Sequence, residues 1–409
     1  MIEGHCDERF QKIHQILEKQ IDNGFEIGAS VALELEGKEV VNLYGGYSKP
    51  DKSSRWEQDT ITNVWSVTKG VVGACVIKLI DEGKLDVNEK VHTYWPEYGC
   101  NGKQETTVLD FLCHRAGMYG FQNGYPKEPW TNWSAYTKEL EAQSPFRKPG
   151  SSQSYHALTF GWLVGELFRR VDGRTVGNYF REEFAEPLKL DFHIGVKDQD
   201  IARCAEITFK NWTEENPFIN SLANVPDAIL NQNMKNFKDA IKSRDYAIAF
   251  DTGRSDDDNY PNKDDWRKGE VPSANGHGTA ASLAKLFGIM STGCERDGVR
   301  LFDESILNKA IEVHSRGPDT VLFGSNLKFG YCFMLEQKSN FLGDFVPTFK
   351  KTAFGHAGAG GAVAFGDKEK KIGFAFVGNR QQDYSMLYRT ANKLIEAVSY
   401  THLTLPTTD

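Results

Sequence analysis

Ser66-Val67-Thr68-Lys69 puts a hydroxyl three residues ahead of an amine. On a helix these two side chains share a face, so the ammonium or amine reaches a hydroxyl that is otherwise a poor nucleophile at neutral pH. If the serine opens the helix, its own N–H is one of the free backbone donors there and can help bind an oxyanion. The S-x-x-K spacing alone does not decide the matter, because Ser282-Leu283-Ala284-Lys285 and Ser325-Asn326-Leu327-Lys328 share it. The first of these falls in a helix expected to begin near Thr279, where Ser282 fits a surface or capping role. The second lies in β-rich sequence, where residues three apart point to opposite faces.

Tyr155, in Ser154-Tyr155-His156-Ala157 after Pro149-Gly150, is a candidate partner and is expected to open a helix of its own. Phenol and lysine both titrate at about pH 10, and a neighbouring lysine cation stabilises phenolate. The pair then shares a proton and serves Ser66 as general base. A half-buried tyrosine at a helix start fits the pattern as well. A third element is Phe354-Gly355-His356-Ala357-Gly358-Ala359-Gly360-Gly361, which leads into a strand. Glycines let a backbone approach a ligand closely. A dinucleotide loop is excluded by Val363 at the position of the final glycine. A strand edge with N–H groups facing a site, and His356 aimed into it, fits better. His356 alone fits equally a structural hydrogen-bonding role.

The elements that must position these groups are written in the periodicity. Phe10, Ile13, Ile16, Leu17 and Ile21 predict an amphipathic helix over about Asp7–Asn23. Ala29–Leu35 and Val40–Tyr44 flank Glu36-Gly37-Lys38 as a hairpin, and Gly361–Phe365 and Ile372–Val377 flank Gly366–Lys370 as another. A last helix has Met386, Leu387, Leu394, Ile395 and Val398 as its apolar face. One antiparallel sheet built from both termini, with the two terminal helices packed on it, follows. Between them, a helix runs from near Ser66 to Glu82 and stops at Gly83, and another runs from near Tyr155 to Gly173. The polar stretch from about Lys197 to Lys268 reads as a solvated loop or insertion. Its Asp256-Asp257-Asp258 run lacks the turn glycine and closing glutamate of a calcium loop. Ser399–Asp409 fits neither helix nor strand periodicity and resembles translated adapter sequence, so it is expected to be an artefactual tail.

Composition narrows the class. The 409 residues carry a net charge of −8, with Lys and Arg dispersed, which argues against a nucleic-acid partner. No apolar run approaches the roughly 18 residues of a membrane helix, and the charged N-terminus lacks the core of a secretory signal. The seven cysteines form no C-x-x-C, so neither a zinc site nor a disulfide framework is expected; reduced thiols in a cytoplasmic protein are. No His, Asp or Glu pair has zinc-ligand spacing, which disfavours a metallohydrolase.

With the three elements in this order, the chain resembles the serine β-lactamase and penicillin-binding superfamily, nearest its class C-like and family VIII carboxylesterase members, from about Phe25 to Val398. Ser66-Val67-Thr68-Lys69 resembles the family's S-x-x-K, Tyr155-His156-Ala157 its Y-x-N, and His356-Ala357-Gly358 its K-T-G in an H-x-G form. Gly83–Val87 with Tyr94–Glu97, and Leu112–Met118, are similar to its connecting segments. The resemblance implies an α/β fold of the β-lactamase/DD-peptidase type: an antiparallel sheet from both termini flanked by helices, plus a mostly helical domain. A single catalytic domain over 1–398 is expected, with the α/β part at about 1–65 and 275–398 and the helical part and insertion at about 66–274.

The resemblance further implies acylation of Ser66, proton transfer by Lys69 and Tyr155, and an oxyanion held by the N–H groups of Ser66 and Ala359, with His356 and Gly358 beside the substrate. It implies no metal or organic cofactor, a small-molecule acyl ester as substrate and room for homo-oligomers. Ala157 and His356 depart from the family's Asn and Lys. Both departures remove recognition of a charged β-lactam or peptidoglycan terminus, which favours a carboxylesterase. The alternatives are a β-lactamase, D-amino-acid peptidase or acyl transferase with the same machinery, and a catalytically inactive binding or scaffold relative. Pro272–Thr279 either lines the pocket or forms a helix-entry turn.

Overall fold

Both ends of the chain build one sheet. The structure is a computed structural model describing residues 2–208, 224–254, 257–336, 349–382 and 386–404. Strands β1 (Ile2–Cys6), β2 (Gly28–Leu35) and β3 (Lys38–Gly46) come from the start of the chain. Strands β4 (Ala353–Ala357), β5 (Val363–Asp367) and β6 (Ile372–Gly378) come from its far end. They pair antiparallel in the order β1-β3-β2-β6-β5-β4, and the seam between the halves is β2 on β6, with Val31 opposite Phe376. Both predicted hairpins are present.

Alternation along the strands sorts the two faces. Val31, Leu33, Phe374 and Phe376 pack with Ile13 and Leu17 of helix α1 (Gln11–Asp22) and with Leu394 and Ile395 near the C-terminus. Ala32, Ala364 and Ala375 face the other way. Together with Gly366 and Gly373 they keep that face shallow, and a methyl group at Gly373 would lie 2.1 Å from the Ala284 carbonyl. A helix fits there only because these residues are small.

Helix α2 (Val67–Asp81) is buried on almost every side, and Gly83 with φ +69° follows its end. A helix buried all round is a core helix. Its first turn is therefore held on all sides. Three further helices are α3 (Thr159–Asp172), α4 (Ala280–Ser291) and α5 (Arg389–Thr404). α4 packs on the shallow face of the sheet, and α1 and α5 pack together on the other.

Three expectations change. Tyr155 does not open a helix: α3 begins at Thr159, and Tyr155 lies in irregular backbone held by distant side chains. The 197–268 stretch is not simply a solvated loop. Its described residues include the helices Gln232–Ser243, Asp245–Phe250 and Asp264–Lys268, and Trp266 is fully buried. The last helix begins after Met386 and Leu387 and continues to Thr404, into the segment expected to be an artefactual tail. Residues 405–409, the rest of that segment, lie outside the described residues, as does Asp256 of the acidic run. No described helix is long and apolar enough to cross a membrane, and all seven cysteines are unpaired.

Candidate active site

Ser66 stands at the entrance to α2 because the chain turns sharply before it. The short strand Thr62–Asn63 pairs with His277–Gly278, and the Val64 N–H donates to the Gly276 carbonyl at 2.8 Å. Trp65 then takes φ +50°, a left-handed conformation that costs a bulky residue energy and is retained where the surroundings enforce it. The N–H groups of Val67, Thr68 and Lys69 bond to carbonyls three residues back. The Ser66 N–H has no partner among the described residues. Ser66 occupies the N-cap position but its side chain makes no capping bond, so its hydroxyl is left to face Lys69.

Lys69 is fully buried, with Nζ 3.1 Å from Ser66 Oγ; it donates to the carbonyls of Ala157 at 2.8 Å and Ser273 at 2.9 Å. Burial pushes its pKa well below the ordinary lysine range, against a small opposing effect from Cys332. In its neutral form an amine has two N–H bonds and one lone pair, so with both N–H groups on these carbonyls the lone pair is left for the Ser66 hydroxyl. The Pro272–Thr279 segment holds Lys69 through the Ser273 carbonyl, and Thr279 caps α4, so the helix-entry reading of it is met.

Tyr155 is 3% exposed, its ring 4.8 Å from Lys69 Nζ. Burial raises its pKa, and a hydrogen bond with Ser66 opposes the rise. The expected lowering by a lysine cation does not occur: Lys69 is itself pushed toward neutrality, and burial outweighs every other influence on the phenol. Tyr155 is therefore a phenol at rest.

Two residues given no role in the sequence reading hold it there. Fully buried Asp319 accepts the Tyr155 N–H at 3.1 Å, and those of Val321 and Leu322 at 3.0 and 2.9 Å; burial pushes its pKa up to about 6. His114, with φ +59°, accepts the His156 N–H on Nδ1 at 3.1 Å and the Ser154 N–H on its carbonyl at 2.9 Å. Burial holds both histidines below their usual pKa, His156 at about 3, so each ring is neutral and one nitrogen of each accepts: Nδ1 of His114 from the His156 N–H and Nε2 of His156 from the Met118 N–H. His114 lay within a recognisable segment; Asp319 left no local signal.

β4 is the edge strand, as predicted, and its outer side is bridged at Gly355 by Met334. Further along, Gly358 presses on the Val64–Trp65 turn. A Cβ there would lie 2.3 Å from the Val64 carbonyl oxygen, and one at Gly360 would lie 2.8 Å from the Trp65 ring. Gly358→Ala is thus expected to push the edge away from Ser66 and lower kcat/KM by about 100-fold, since an ångström of misplacement costs that much. Steady-state kinetics on the variant checks this; wild-type activity would refute it.

His356 is fully buried on the α2 side, its Nδ1 2.8 Å from the Ala357 carbonyl. Burial and Lys69 lower its pKa to about 3, so it is neutral. The other S-x-x-K pairs do not assemble. Lys285 donates to the Leu188 carbonyl at 2.8 Å, whereas Ser282 Oγ receives the Asp191 N–H at 2.7 Å, and Lys328 pairs with Glu336.

The Beta-lactamase family matches residues 13–397. The Esterase/beta-lactamase LipL of Mycobacterium tuberculosis is 31% identical over 381 residues, 92% of this chain and 82% of its own. A penicillin-binding protein homolog from Caulobacter crescentus superposes with TM-score 0.81 at 33% identity, covering 98% of this chain and 100% of its own. A family VIII carboxylesterase gives TM-score 0.80 at 28% identity, with 98% and 100% covered. The matched span takes in every side chain gathered around Ser66, so the chain belongs to the beta-lactamase family, as a serine hydrolase.

Proposed function

We propose that the protein is a carboxylesterase-like hydrolase of small, uncharged acyl esters, with Ser66 as nucleophile. Lys69 takes the Ser66 proton as the hydroxyl attacks the ester carbonyl, and the N–H groups of Ser66 and Ala359 receive the oxyanion. Each such donor is typically worth about 3–4 kcal/mol in the transition state. Tyr155, protonated at rest, delivers a proton to the leaving alkoxide and regains one from Lys69. The acyl-enzyme is then hydrolysed by water, with Tyr155 and Lys69 moving the proton in reverse.

The observation that carries the ester reading is His356. A buried imidazole with a pKa of about 3 offers no cation to a substrate carboxylate, where the resembling families have lysine. Ala157, buried beside Tyr155, offers no side-chain amide to a substrate. Phe250, its ring 6.4 Å from that of Tyr155, adds apolar surface suited to a short acyl chain. The joint name of LipL supports a second reading, residual β-lactam hydrolysis by the same residues. A cytoplasmic location is supported by the seven unpaired thiols.

Purified protein is expected to turn over p-nitrophenyl butyrate with kcat/KM at least about 30-fold above that for a chromogenic cephalosporin, since the missing cation removes a charged contact of roughly 2–3 kcal/mol. The reverse preference would overturn the ester reading and leave the β-lactamase one.

A further inference from the structure

The Gly358 carbonyl and the Ala359 N–H belong to one peptide plane, and in the trans form they point in opposite directions. Gly358 donates its N–H to the Ala362 carbonyl at 2.7 Å and accepts the Gly361 N–H at 2.9 Å, so both of its polar groups face inward, toward β5. The Ala359 N–H therefore faces out from the sheet edge, toward the Val64–Trp65 turn against which Gly358 is pressed. It has no partner among the described residues. With glycine at 358, 360 and 361, this turn has little steric resistance to rotation of that plane.

Tyr388 lies just before α5 and is buried; its hydroxyl donates to the Gly358 carbonyl at 3.0 Å. The preceding residue is seated on the same turn: a Cβ on Gly361, which has φ +90°, would lie 2.7 Å from the Leu387 carbonyl oxygen. Burial raises the Tyr388 pKa, so the phenol keeps its proton and stays a donor. We propose that Tyr388 is a positioning residue that locks the Gly358–Ala359 peptide with its N–H turned to Ser66, so that the oxyanion donor is in place before substrate arrives. The inference rests on the reading that Ser66 is the nucleophile and Ala359 an oxyanion donor. It adds to that reading a side chain that, together with the Gly361 N–H, keeps the peptide from flipping, which would swing a carbonyl oxygen into the place of the donor.

A lock on an oxyanion donor acts on the transition state and leaves ground-state binding alone. Tyr388→Phe keeps the buried ring and removes only the hydroxyl. With p-nitrophenyl butyrate, kcat is expected to fall about ten-fold or more with KM within about two-fold, the scale of one lost hydrogen bond. Phenylboronic acid, which adds to a serine hydroxyl as a tetrahedral anion, is expected to bind more weakly by a similar factor. The pH profile is expected to keep its acid limb, which separates positioning from a proton-relay role for Tyr388 beside Tyr155. Ser66→Ala is measured alongside. If Ser66→Ala is inactive while Tyr388→Phe matches wild type, loses only KM, shifts the limb or binds the boronate normally, the positioning role is overturned and the nucleophile stands. If Ser66→Ala keeps wild-type turnover, both fall.

Discussion

Ser66→Ala is expected to lower kcat for p-nitrophenyl butyrate by at least about four orders of magnitude, the scale seen when a serine nucleophile is removed from an otherwise intact site. The same change should leave the thermal midpoint within a few degrees of wild type. An ordinary N-cap serine stabilises its helix by about 1 kcal/mol. Ser66 makes no capping bond, so alanine removes chemistry and not a helix start. Kinetics and a melting curve on the same two preparations test both halves. Equal turnover by variant and wild type would place the nucleophile elsewhere.

Lys69→Met should cost about three to four orders of magnitude in kcat, because methionine fills the buried channel without a lone pair to take the serine proton. The pH dependence identifies the base. Burial lowers the Lys69 pKa, so the neutral amine persists at pH values where an exposed lysine is charged. Activity is lost as pH falls through the folded-state pKa, and the protein should work well below the ordinary lysine range. Stability carries the same sign. Between the folded and ordinary pKa values the unfolded chain binds the extra proton, so stability rises with pH across that window. Lys69→Met should flatten this rise in urea titrations at several pH values. A variant with wild-type kcat, or one whose pH–stability slope is unchanged, would remove Lys69 from the base role.

The terminal hairpins and α2 were legible in the sequence because their patterns are local: period two in the strands, an apolar run closed by Gly83 in the helix. The pairing of Ser66 with Lys69 was legible for the same reason, being one helical turn. The competing Ser282–Lys285 pair has that spacing too. It separates only because Lys285 finds the Leu188 carbonyl, a contact made 97 residues away. Tyr155 was found as a residue but misread as a helix start. Its backbone is fixed by Asp319, 164 residues downstream, and by the turn at His114, and no window of neighbouring residues encodes either. The direction of its pKa was misread for a related reason: burial, set by the whole fold, outweighs the nearby amine. Tyr388 gave no signal at all, since its hydroxyl matters only where α5 meets the glycine turn.

The seam between β2 and β6 has a consequence for how the protein is made. A ribosome delivers β2 more than 300 residues before the strand that covers its edge, since Val31 awaits Phe376. Throughout that interval an apolar strand, buried along nearly its whole length in the finished protein, has one side of its backbone unpaired. Such an edge invites pairing with other chains. The glycine turn beside Ser66 also emerges late, so a growing chain can hold α2 without a complete site. Closure of the sheet and appearance of activity should therefore coincide in time, after synthesis has passed Gly378.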